Sequence, residues 1–252
     1  MLAIAITRPE HRELLRGALW SMLAVALSIV SLSVLGVNVL HLSAGYAPKA
    51  LLLFVAGAAV VLLNLPGAHR FARMGAANQV TIVRGALVAL LGALLGEQVS
   101  RATAETAVAA ASAALLLDGV DGWLARRSRM TSEFGARLDM ETDALFVAVL
   151  SLLVWQFGKA GPWVLLSGLM RYLFAVVIAF IPVLQRPVPS TLRAKTIAVL
   201  QMVVLIVALA PLCSHPAAVW IAAAGLAALT LSFSLDIIWL LRRPGCNDIP
   251  SE

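Results

Sequence analysis

Apolar runs of bilayer length recur along this chain, and no other feature restricts its fold so severely. Inside hydrocarbon every backbone N–H and C=O needs a partner within the protein, so a spanning segment is either a helix or part of a closed barrel. Runs of about twenty residues, rather than the ten or so of a barrel strand, select helices. The pattern places them near 18–41, 48–65, 78–97, 103–126, 134–157, 163–184, 195–213 and 216–241. The predicted fold class is all-α, a polytopic integral membrane helix bundle of about eight transmembrane helices. The second segment is the shortest, and Asn64-Leu65-Pro66-Gly67 is expected to break it early, which would allow a re-entrant path.

Composition agrees. Of 252 residues 61% are hydrophobic and only 13% charged, far from the balance of a soluble domain. A net charge of +6 would suggest a nucleic-acid partner in a soluble protein, but here the basic residues sit at segment ends. With the N-terminus in the cytoplasm, fourteen of the nineteen Lys and Arg fall on the cytoplasmic side. Lys49, Arg101 and Lys159 remain outside, and Arg84 and Arg171 lie within spans. That asymmetry reports topology, so no nucleic acid is expected, and a bacterial inner (cytoplasmic) membrane is the expected location. Arg8, Glu10, Arg12, Glu13 and Arg16 precede an apolar stretch too long for a signal-peptide core, which predicts a retained anchor. Cys213 and Cys246 fall near opposite faces of the predicted bundle and are expected to be unpaired; His11, His41, His69 and His215 show no metal-ligand spacing. His69-Arg70-Phe71-Ala72-Arg73-Met74 alternates basic and apolar residues, as either a short interfacial helix or a plain basic connector would. Trp20, Trp155, Trp163, Trp220 and Trp239 suit interfacial belts.

Against this background four aspartates stand out. Asp118, Asp121, Gly122, Ala125, Arg126, Gly135, Asp139 and Asp143 have the spacing D-x2-D-G-x2-A-R-x8-G-x3-D-x3-D. Asp118 and Asp121 are i, i+3 and Asp139 and Asp143 are i, i+4, so each pair projects from one face of its helix. A short connection at 127–133 is expected to make the two helices antiparallel neighbours and to bring all four carboxylates to the cytoplasmic end. An Asp at the centre of a membrane helix costs roughly 2.5–3.5 kcal/mol, so four demand compensating charge, for which a divalent cation is suited. Oxygen-only ligands favour Mg2+ or Mn2+ over zinc. Gly119 and Gly122 each cost roughly 1 kcal/mol relative to Ala in a helix, which points to space being kept beside the aspartates or to close helix packing. Arg126 supplies a guanidinium suited to phosphate.

This constellation resembles the signature of the CDP-alcohol phosphotransferase (CDP-alcohol phosphatidyltransferase) family, whose fixed positions are all present. The resemblance covers about 67–243 as a six-helix core, leaving 1–66 as an N-terminal extension with two membrane helices and 244–252 as a cytoplasmic tail. It implies a membrane transferase with two divalent metals and CMP as leaving group. Asp118, Asp121, Asp139 and Asp143 would be metal ligands, and Asp143 would also be the base for the acceptor hydroxyl. Gly122, Ala125 and Arg126 would face the CDP moiety. Upstream, Asn78-Gln79-Val80-Thr81-Ile82-Val83-Arg84 resembles the family's P-N-x-I-T-x-x-R opening with Ala77 in place of proline, and Asn78, Thr81 and Arg84 would line a face towards the nucleotide. An N-cap role for Asn78 is an equally good reading. Arg193-Ala194-Lys195-Thr196 resembles a basic K-x-K-T helix entry, and Gln201 falls too late to match the family's glutamine. Tyr172 after Arg171 and Ala144 after Asp143 depart from the pattern of phosphatidylglycerophosphate synthases.

The resemblance implies CDP-diacylglycerol, or another CDP-alcohol, as donor, an alcohol acceptor, a membrane-lipid partner, a place in phospholipid biosynthesis and a homodimer. A soluble CDP-alcohol with a lipid acceptor shares the motif. A cation or proton transporter is the rival from another class, because intramembrane carboxylates often mark ion paths. Arg186, Arg193 and Lys195 either meet an anionic, phosphorylated acceptor or simply satisfy the positive-inside rule. Glu141 points off the aspartate face and is expected to be interfacial.

Overall fold

The computed structural model describes residues 9–68, 76–128, 133–180 and 192–242. Among them are eight helices and no strand: α1 (Pro9–Leu40), α2 (Tyr46–Ala68), α3 (Ala76–Ala93), α4 (Arg101–Ser128), α5 (Glu133–Gln156), α6 (Leu165–Phe180), α7 (Leu192–Leu209) and α8 (His215–Arg242). A single 3-10 turn, Pro162–Val164, leads into α6. Within these helices Arg16–Leu40, Arg101–Gly122, Leu192–Leu209 and His215–Leu240 are long and apolar enough to cross a membrane, and Tyr46–Val61 and Asn78–Ala93 are shorter apolar stretches. The all-helical membrane bundle is as expected from the sequence.

One local expectation fails. Asn64-Leu65-Pro66-Gly67 does not break the second helix, which continues to Ala68. Proline removes its own N–H bond and crowds the carbonyl one turn back, but ending the helix before it would leave further backbone groups without partners in hydrocarbon. The segment His69-Arg70-Phe71-Ala72-Arg73-Met74 and Cys246 lie outside the described residues.

The middle of the bundle is α3 and α5. Helix α3 packs against α1, α2, α4 and α5, and α5 packs also on α6 and α7. Leu91 of α3, Phe146, Leu150 and Leu153 of α5, and Met202, Leu205 and Leu209 of α7 are buried along this axis. Lipid offers no hydrophobic push between helices, so close approach of backbones must hold them. At Gly168 a Cβ would sit 2.6 Å from the Ala148 Cα, so α5 and α6 touch where only glycine fits. Outward-facing Trp20, Leu27, Val39, Leu116 and Leu231 are exposed, as side chains facing lipid would be.

Helices α1 and α2 are fixed to the rest at the end remote from the aspartates. Lys49 Nζ donates to the carbonyls of Ala93 (2.9 Å) and Leu95 (2.7 Å) at the C-terminus of α3. Glu97 accepts from Ser43 N (2.8 Å) and Ser43 Oγ (2.7 Å), with Lys49 Nζ 3.4 Å away. Lys159 repeats the device, donating to Ala210 O (3.0 Å) and Cys213 O (2.6 Å) beyond α7. Terminal carbonyls have no helical partner and carry the negative end of the helix dipole, so an ammonium satisfies both.

Candidate active site

The first half of α3, the end of α4 and the start of α5 meet at the opposite end. There Arg84, on α3, is only 1% exposed and stands between the two aspartate pairs. Its Nη1 lies 2.8 Å from Asp121 Oδ2 and 2.6 Å from Asp139 Oδ1. Its Nη2 lies 2.8 Å from Asp118 Oδ1 and also binds Asp143 Oδ1. Thr81, one turn earlier, donates its hydroxyl to Asp121 Oδ2 at 3.2 Å. The predicted convergence of Asp118, Asp121, Asp139 and Asp143 is therefore present. Its scaffold differs from the simple expectation of two neighbouring helices: both motif helices pack on α3, and the guanidinium of α3 ties their carboxylates together.

The charge balance decides what else belongs here. One guanidinium against four carboxylates leaves an excess of negative charge. Each aspartate meets Arg84 through one oxygen, so the second oxygen of each is left for another cation. Ligand oxygens of Asp118, Asp121 and Asp139 lie within 4.8 Å of one another. An all-oxygen set of this span suits a hard divalent ion such as Mg2+ or Mn2+, so the residues present fit the metal that the motif implies. Exposure rises from 5% for the Asp121 side chain through 20% for Asp118 and 30% for Asp143 to 41% for Asp139. The cluster thus has a closed floor at Asp121 and an open side towards α5, from which a substrate can approach.

The remaining predicted residues divide. Asn78 is buried in the first turn of α3, inside the helix rather than capping it. A Cβ on Gly119 would meet nothing within 4 Å, which favours kept space over helix packing at that position. Gly122 is half-buried beside Asp121. Helix α4 continues through Ala125 and Arg126, whose side chains lie outside the described ones, as does the whole of Arg186. Lys195 is exposed, whereas Arg193 forms an ion pair with Asp236 of α8. Glu141 is engaged 2.5 Å from Arg171 Nη2 on α6, apart from the aspartate cluster, as its position off that face predicted. Sequence reasoning overlooked Asp236, although a lone carboxylate in an apolar run is itself a signal of a buried cationic partner. Arg84, expected to line the face towards the nucleotide, is held here by the four aspartates.

No curated protein and no solved structure gives a match. The sequence profile described as CDP-alcohol phosphatidyltransferase matches residues 74–232, from just before α3 into α8. That stretch contains Arg84 and all four clustered aspartates and leaves α1 and α2 outside it. The chain belongs to the CDP-alcohol phosphatidyltransferase family.

Proposed function

We propose that this protein transfers a phosphatidyl group from CDP-diacylglycerol to an alcohol and releases CMP. Family membership carries the coarser statement, transfer of a phosphate-alcohol group from a CDP-alcohol to an acceptor. The observation that most supports the proposal is the gathering of all four motif aspartates about one buried guanidinium.

The acceptor hydroxyl attacks the phosphorus that bears the diacylglycerol group, the bond from that phosphorus to the CMP oxygen breaks, and the hydroxyl proton passes to Asp143. Asp143 suits this role because it is half-exposed on the open side while Arg84 holds one of its oxygens. Arg84 and Thr81 fix Asp121 from the α3 side, so the ligand carboxylates are oriented before substrate arrives. Asp118, Asp121 and Asp139, with Asp143, would hold the divalent ions, which when bound would neutralise charge on the diphosphate and the leaving CMP. Asn78, Gly122, Ala125 and Arg126 are assigned to the nucleotide side, and Arg186, Arg193 and Lys195 to a phosphorylated acceptor. The site faces the cytoplasm of a bacterial inner membrane in this reading, because most Lys and Arg lie on that side.

The test is CMP release by purified protein from labelled CDP-diacylglycerol, with Mg2+ or Mn2+, across a panel of glycerol 3-phosphate, serine, inositol and inositol phosphate. Metal-dependent CMP release that requires one of these alcohols is the expected result. Release of CMP only from a soluble CDP-alcohol with a lipid acceptor would reverse the donor assignment, and no release from either donor would sink the transferase reading.

A further inference from the structure

A cavity of about 480 Å³ runs beside the aspartate cluster, and its walls come from two sources. Helices α3 and α5 of the family-matched stretch, with Tyr172 of α6, form one side, on which Glu141, paired with Arg171, is the one charged lining residue among those described. Met22 of α1 and Leu53, Phe54 and Gly57 of α2, all outside that stretch, form the other.

On α3 the lining residues Thr81, Gly85, Val88 and Gly92 fall on one face. Eleven residue steps at about 1.5 Å give a groove roughly 16 Å long, close to half of a ~30 Å hydrocarbon core, or one leaflet. One end is polar and belongs to the active site: Thr81 donates to Asp121, and Thr142 and Leu138 flank Asp143 and Asp139 in sequence. The other end, where Leu53 lies against Gly92, is apolar. Leu53 and Val60 on its wall are also exposed, so the groove opens sideways towards lipid. Side chains are missing where they would block it, since a Cβ on Gly57 or Gly85 would meet nothing within 4 Å.

We infer that the N-terminal helices α1 and α2 complete a groove that takes one hydrocarbon chain of the lipid donor, entered from the membrane and ending at the metal-binding aspartates. The inference rests on the proposed CDP-diacylglycerol chemistry and assigns a task to the extension. Length suits a single chain: a groove of roughly 16 Å matches one acyl chain over half of the hydrocarbon core. The polar clamp of Ser43, Lys49 and Glu97 keeps the α2 wall in register with α3.

The experiment uses full-length protein in lipid nanodiscs and CDP-diacylglycerol with a photoactivatable group midway along one long acyl chain. Adducts are expected on 53–61 of α2 and 82–92 of α3, and excess unlabelled long-chain CDP-diacylglycerol should suppress them. Gly57→Leu should lower kcat/KM for the long-chain donor about tenfold, as filling an apolar pocket does, while leaving turnover of a dihexanoyl donor nearly unchanged. That short-chain turnover certifies folding, and Gly57→Ala should give a smaller loss in the same direction. Adducts confined to other helices in wild-type protein that releases CMP, or equal losses on both donors, would overturn the groove and leave the transferase reading intact. Competed adducts on α2 without CMP release to any alcohol would keep the groove and sink the transferase reading.

Discussion

A guanidinium in contact with four carboxylates has exchanged its water shell for fixed partners, and removing it exposes how much repulsion it holds down. Breaking a buried ion pair by deleting one partner costs about 3–5 kcal/mol, because the other charge stays behind. Arg84→Ala should therefore lower the thermal midpoint sharply in metal-free detergent solution. Mg2+ or Mn2+ should raise the midpoint of Arg84→Ala more than that of wild type, since a ligand stabilises in proportion to its binding to the folded state. A midpoint indifferent to metal in both proteins would remove the cation from the aspartate cluster. Asp143→Asn separates base from scaffold. The isostere keeps its shape beside Arg84 but takes no proton, so transfer should fall by about 10²–10⁴-fold while CDP-donor binding, followed by equilibrium dialysis, is largely kept. Near-normal turnover would reassign the base.

At the scale of elements, the polar clamp between α2 and α3 makes a pH signature. Burial alone would raise the carboxyl of Glu97, but hydrogen bonds from Ser43 and the neighbouring Lys49 ammonium outweigh it and hold the group below its ordinary value. A depressed carboxylate contributes stability that is complete above the unfolded value of about 4.3 and is lost as pH falls through the lower folded value. Glu97→Gln should flatten the acid side of the stability profile. The difference from wild type at neutral pH should be about 1.5–3 kcal/mol, the range for hydrogen bonds to a charged group. Thermal melts of both proteins from neutral to acid pH measure it; parallel profiles would show that the clamp contributes nothing. The same clamp accounts for Lys49 standing on the side that the charge rule disfavours, and Lys159 has the matching reason at the end of α7.

For the molecule as a whole, charge was expected to do two things at the cytoplasmic face, set orientation and receive an anionic acceptor. Arg193 now has a third task, because its partner Asp236 is nearly buried on α8. The substitutions should accordingly part company. Lys195→Ala should raise the acceptor KM about tenfold, with donor KM and thermal midpoint little changed, as expected for loss of one charge-assisted contact. Arg193→Ala should also lower the midpoint, and Asp236→Asn in the same chain should recover part of that loss. Steady-state kinetics with each substrate varied, beside melts, distinguish these outcomes. Equal effects on donor and acceptor would retire the phosphorylated-acceptor idea.

The bundle, its approximate segments and the four aspartates were legible from residue order, because bilayer length and helical periodicity act along the chain. Asp118 with Asp121 and Asp139 with Asp143 are local pairs, each on one helix. The helix runs on through Pro66 against the local breaker signal, since in hydrocarbon the pairing of backbone groups outweighs what one proline takes away. Which charges meet was decided only by packing. Arg84 lies thirty-four residues before Asp118 and fifty-nine before Asp143, and nothing in its local sequence distinguishes a nucleotide contact from a counter-ion. The Arg193–Asp236, Arg171–Glu141 and Lys49–Glu97 pairs likewise join different segments. The groove belongs wholly to this second class: its walls are mostly apolar residues drawn from five helices, with Thr81, Glu141 and Thr142 among them, and only their relative placement leaves the space between them.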